Sequence, residues 1–228
     1  MATSGTTNWT LAISQIVEMA GRRVRPSSAG PMTGEEARNA REALNLVQID
    51  ISNRGYPLSL FELKTLSLTA STNQYTLPTD VADIYNLVYR ETNADSTTTD
   101  IVLERKSIFE YNNIAAKAQE GRSSIYSVDR DRDAAVLYLF PTPDTADSLV
   151  YWAVTKPEDA DAAQNDVDFN YRWHPCLVAG VAYYMALERS DVPIEKMSML
   201  RQMYNEQIDL ALMEDRDRSS TWLIPGAR

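Results

Sequence analysis

The sequence predicts an α+β protein: mainly a helical bundle, with an inserted small antiparallel β-sheet sub-domain and an extended C-terminal tail. Three observations lead there. Apolar residues step by three and four towards both ends of the chain, the step falls to two between about residues 63 and 154, and residues 215–228 keep no period. The expected divisions are a bundle from residues 1–62 and 171–214, a β-rich insertion with a short helix from 63–170, and a docking tail from 215–228.

The first helical face is Trp9, Ile13, Ile16, Val17 and Ala20, closed by Gly21. An irregular PSSAGP stretch follows. Thr33 and Glu36 have capping-box spacing, Ala37, Ala40, Leu44, Val47 and Ile51 continue one face, and Gly55 stands where that helix should stop. From there Leu66 and Leu68 alternate with Thr65, Ser67 and Thr69, and short runs follow at 74–77, 85–91, 99–104, 135–140 and 148–154. Pro78, Pro141 and Pro143 end two of these runs, because proline donates nothing to a central ladder. A short helix is expected near residues 107–118.

Helical spacing returns at Trp173, with Leu177, Val181, Tyr184, Met185 and Glu188 on one side and Ala179, Gly180, Ala182 and Ala186 as small packing surfaces. The last helix covers about residues 193–214, with Asp191 as its expected cap and Met197, Leu200, Tyr204, Ile208, Ala211 and Leu212 as its inner stripe. Its other side carries Met199, Met203 and Met213, adaptable side chains of a kind enriched at interfaces, and these are the expected subunit interface. Beyond the helix, Trp222, Leu223, Ile224 and Pro225 form an apolar cluster without periodic continuation, expected to dock into a partner.

Composition excludes several functions. The 32 acidic and 22 basic residues give a formal charge of −10, the wrong sign for a tight grip on phosphates. The acidic stretch PEDADAAQNDVD and the alternation of Arg130 and Arg132 among Asp129, Asp131 and Asp133 read as solvated loops. An EF-hand in DADAAQNDVDFN lacks both the turn glycine and the final glutamate. The first ten residues are polar and uncharged, so no secretory signal is expected, and no apolar run is long enough for a membrane anchor.

The only histidine and the only cysteine, His174 and Cys176, lie two residues apart. A tetrahedral metal site would need two further nitrogen or sulfur ligands, and a nucleophile would need a base and an oxyanion site. Pro175 suits the first turn of a helix and pushes the residue before it out of the helical region, which puts His174 at the helix entry and Cys176 inside the first turn. The pair therefore reads as packing. No phosphate loop, dinucleotide glycine run, HExxH or GxSxG is present, and no cofactor or metal is expected. The aromatic run Tyr151, Trp152, Phe169, Tyr171 and Trp173 has no basic frame and reads as a core edge or a subunit interface.

The succession YTLPTDVADIYNLVYR, AAVLYLFPTPDTADSLVYWAV, an acidic loop, YRWHPCLVAGVAYYMALE and a helix ending QMYNEQIDLALMED resembles the head-to-tail adaptors of short-tailed bacteriophages, of the tail tubular protein A and tail accessory factor types. The resemblance covers about residues 63–215 and, by order of parts, the first two helices. It implies a virion protein of the neck, assembled in the host cytoplasm as a ring, usually of twelve copies. Such a ring lies between the portal protein and the tail nozzle protein. DNA passes through the hole without tight binding, and C-terminal segments reach towards the portal. An acidic wall suits such a channel because it does not retard the duplex. The competing readings are a cell-wall hydrolase using a carboxylate or the Cys/His pair, and a monomeric regulatory binding module.

Overall fold

A computed structural model describes residues 10–26, 30–93 and 95–215, so Trp9 and the Trp222, Leu223, Ile224, Pro225 cluster lie outside the described residues. In chain order the elements are α1 (Ile13–Val24), α2 (Gly34–Arg54), β1 (Phe61–Ser67), β2 (Gln74–Thr76), β3 (Val81–Thr92), β4 (Thr98–Val102), β5 (Glu104–Arg105), α3 (Ile108–Asn112), β6 (Ile125–Asp129), β7 (Val136–Phe140), β8 (Ser148–Thr155), α4 (His174–Leu187) and α5 (Ile194–Glu214). They form two compact units, a helical one up to Ser59 and from Glu158 onward, and a β-rich one, Leu60–Pro157.

In the helical unit α1, α2 and α5 all pack on α4. That central place follows from its sequence: HPCLVAGVAYYMAL is apolar almost all round, and such a helix must be covered on every side. Gly180 is where the covering helices come closest. A Cβ there would lie 2.7 Å from the Tyr204 ring and 2.8 and 2.9 Å from the Val47 methyls. Gly21, expected to close α1, lies inside it instead. The helix runs to Val24, and a Cβ at Gly21 would meet the Met32 sulfur at 2.6 Å, so this glycine serves close approach rather than termination.

The Thr33–Glu36 capping box forms, with Glu36 N–H donating to Thr33 Oγ1 at 3.2 Å and Thr33 N–H to Glu36 at 2.9 Å. Arg189 reaches from the turn after α4 to the same Glu36 at 2.9 Å. Asp191, expected to cap α5, is instead held by Arg189 through two hydrogen bonds of 2.9 and 2.7 Å, and Pro193 occupies the cap position. The acidic segment 158–170, expected with the insertion, serves the helical unit. Its backbone carbonyls at Asn165 and Ala163 accept from Ile13 and Ser14 at 2.9 and 3.0 Å, filling the otherwise empty first turn of α1. Its acidic residues are exposed, and Asp168 also accepts from Glu158 N–H at 2.6 Å.

The β-rich unit contains two four-stranded sheets rather than one. Their orders are β1-β8-β3-β4 and β2-β7-β6-β5, antiparallel except for β5 with β6. Leu87, Tyr89, Leu149 and Tyr151 of the first and Tyr126, Leu137 and Leu139 of the second share one core. Apolar alternation on β3, β7 and β8 gives more inward side chains than one sheet can cover, so a second layer is required. Between the layers, Asp83 on β3 pairs with Arg105 at 2.8 Å and with Arg130, so Arg130 is not a freely solvated charge.

Candidate functional site

The His174–Cys176 segment is built for packing. The 3-10 turn Tyr171–Trp173 runs straight into α4, and His174 itself is helical at φ −56°, ψ −44°, so the expected exclusion of the residue before Pro175 does not occur. Trp173 overrides it: its ring is fully buried, edge-on to Phe169 at 6.0 Å, and its Nε1–H donates to Asp215 Oδ2 at 3.2 Å. The same carboxylate accepts from Leu58 N–H at 2.9 Å, so the end of α5 is tied to the start of α4 and to the chain leaving α2.

Cys176 is fully buried, and burial pushes its thiol up to about 12, partly countered by Arg54. A thiol held neutral is a poor nucleophile. Burial likewise lowers His174, against the opposing pull of the Asp166 carboxylate and a backbone hydrogen bond with Phe169. Among the described residues no group of three or more His, Cys, Asp or Glu could hold a metal ion, and no helix is long and apolar enough to cross a membrane.

Beside Cys176, Tyr204 donates to Asp50 at 2.8 Å and has Arg54 5.7 Å above its ring. Burial raises the Tyr204 hydroxyl, and Arg54 also binds Asp50 at 3.1 Å. This charged knot fixes α5 against α2. It orients α5 so that Leu200, Tyr204, Ile208 and Ala211 face inward.

The opposite side of α5 is the candidate interaction surface. Met199 and Met213 are 53% and 59% exposed, Leu210 is 57% exposed, and Met203 is half-buried. Met199, Met203, Leu210 and Met213 share one side of the helix with Glu206, the spacing of a seam that meets another helix. The sequence reading missed Leu210, although its step of seven from Met203 was the available signal. The aromatic run divides: Tyr151, Phe169 and Trp173 are buried, whereas Trp152 and Tyr171 are about half exposed.

The chain matches the family described as SU10 adaptor protein over residues 10–226. It belongs to the SU10 adaptor protein family. It is thus a bacteriophage head-to-tail adaptor, a structural protein of the virion. The solved structures similar to it include two chains from gene transfer agent particles. A chain from the neck of an empty gene transfer agent particle is 12% identical, with 82% of this chain and 87% of that chain covered and a TM-score of 0.28. A chain from the virion of the native gene transfer agent particle is 14% identical, with 89% and 92% covered and a TM-score of 0.28. No curated protein matches this adaptor in sequence.

Proposed function

We propose that this adaptor forms a ring, a dodecamer, in the virion neck between the portal protein and the tail nozzle protein, enclosing the DNA exit channel and catalysing no reaction. The observation that carries the reading is the α5 seam of Met199, Met203, Leu210 and Met213, an apolar stripe on a helix whose inner face is already used. Its natural cover is a neighbouring copy. The formal charge of −10 suits a wall along which DNA slides. In this reading the ring assembles in the host cytoplasm, and Trp222, Leu223, Ile224 and Pro225 dock on the portal.

The test is electron microscopy of the adaptor mixed with its portal. Wild type should give rings seated on the portal. Met203→Glu should stay soluble with an unchanged melting temperature yet form no ring, because closing the seam would bury an unpaired charge. Rings from that variant would move the interface elsewhere, and unfolding would return Met203 to the subunit core.

A further inference from the structure

We infer that neighbouring copies are also joined by strand addition, β4 of one copy pairing antiparallel with β1 of the next, so that the β1-β8-β3-β4 sheets become continuous around the ring. The inference rests on the ring proposed above and names a junction within it.

The two sheets treat their edges differently. The second sheet ends in β2 and β5, of three and two residues, too short to template another strand. The first sheet ends in β1 and β4, of seven and five residues. Neither FELKTLS nor TTDIV contains a proline, and the irregular register of this sheet lies inside it, between β3 and β8. The charges on these edges, Glu62 and Lys64 on β1 and Asp100 on β4, are paired inside the subunit, Lys64 with Glu62 and Asp80 and Asp100 with Arg90 at 2.7 Å, so neither edge sets an uncompensated charge against an incoming strand.

Direction and phase both fit. Every neighbouring pair in the sheet is antiparallel, so β1 and β4 run in opposite directions and a translated copy offers β1 an antiparallel partner. Leu103 N–H bonds Leu87 at 3.1 Å, one step beyond the Val88–Val102 pair, so the backbone groups of Thr98, Asp100 and Val102 face away from β3. Leu68 N–H bonds Asp147 at 2.8 Å, one step beyond the Ser67–Ser148 pair, so those of Leu63, Thr65 and Ser67 face away from β8.

The side chains agree as well. Val102, Val88, Val150 and Thr65 form one row across the sheet, which puts Val102, Thr65 and Leu63 on one face, the face away from the shared core. On both edges, then, residues with outward backbone groups also carry outer-face side chains. One register satisfies all of them: Thr98 opposite Ser67, Asp100 opposite Thr65, Val102 opposite Leu63. It covers two aliphatics that are otherwise 69% and 58% exposed. Like edges can always meet about a two-fold axis, but that contact stops at two copies. The mixed junction leaves a free β1 and a free β4 and so propagates until a ring closes.

The test uses introduced cysteines, because the adaptor's single native one, Cys176, is buried. Full-length L63C/V102C, assembled on portal rings and treated with a short bismaleimide, should give a ladder of covalent oligomers on denaturing gels, whereas V102C alone should stay monomeric. A ladder from S67C/V102C with none from L63C/V102C, or dimers from L63C alone, would overturn the antiparallel mixed junction. Val102→Lys, with wild-type melting, should reduce ring yield at least tenfold. Rings seen by microscopy without a ladder would sink the junction and leave the ring reading intact, and absence of rings with wild type would sink the ring reading itself.

Discussion

The helical unit and the β-rich unit reach stability by different means. Around α4 the contacts are apolar and close: Ala179, Gly180, Val181 and Ala182 are buried, and α2 and α5 come within reach of a methyl added at Gly180. The two sheets instead place a nearly buried carboxylate, Asp83, between their layers and neutralise it with Arg105 and Arg130. The first unit is therefore vulnerable to changes of volume and the second to changes of charge, which substitutions in each can separate.

The largest effect should come from Trp173→Ala. The ring is fully buried and its Nε1–H bond to Asp215 joins the ends of α4 and α5, so its loss should cost about 3–5 kcal/mol in chemical denaturation followed by helical circular dichroism. A change under 1 kcal/mol would show that α4 is positioned without it. Asp83→Ala should come next, at about 1–2 kcal/mol. Removing one partner of a fully buried pair costs more, but Arg105 and Arg130 are 40% and 62% exposed and can recover much of their hydration. If Asp83→Leu proves as stable as wild type, the β-rich core is limited by volume after all and the contrast between the units fails.

Gly180→Ala sharpens the other side of the comparison. On an exposed helix this change stabilises by about 1 kcal/mol. Here the new methyl would meet Tyr204 and Val47 inside 3 Å, and overpacking costs of about 1–3 kcal/mol reverse the sign. Gly34→Ala, with nothing within 4 Å of the new methyl, is the control that should not destabilise. A stabilised Gly180→Ala would mean that α5 shifts freely on α4.

How much of this was legible depended on whether the signal was local. The α2 cap, the apolar girth of α4 and the inner stripe of α5 depend on residues three or four apart, and all three read directly from the sequence. The family was readable too, because LPTDVADIYNLVYR, LYLFPTPD and the Trp173 helix follow one another along the chain as recognisable stretches. Strand β6 went unread because Ser127 occupies one of its buried positions, next to buried Tyr126, and breaks the apolar alternation. The second sheet was hidden for another reason. Period two says that a strand has a covered face but not which layer covers it. The partners of Asp83 lie 22 and 47 residues away, and nothing in either local pattern links them. The acidic segment was misassigned because its charge describes its side chains, whereas its role at α1 belongs to its carbonyls.

The smallest effect is a pH dependence within the helical unit. His174 is nearly buried at the start of α4, and burial lowers its pKa from 6.5 more than Asp166 and the Phe169 backbone raise it. Folding therefore favours the neutral ring. Above about pH 6.5 the ring is neutral in folded and unfolded chains alike, and its packing contributes fully. As pH falls below 6.5 the unfolded chain takes up a proton that the folded chain resists, so this contribution is lost progressively until the folded His174 also titrates. The slope cannot exceed about 1.4 kcal/mol per pH unit for one proton. Carboxylates titrate further down the same range, so the measurement is the difference between wild type and His174→Gln in urea denaturation from pH 7.5 to 5. The wild-type advantage should shrink as the solution is acidified. An advantage that grows instead would mean that Asp166 outweighs burial and that His174 is charged in the folded adaptor.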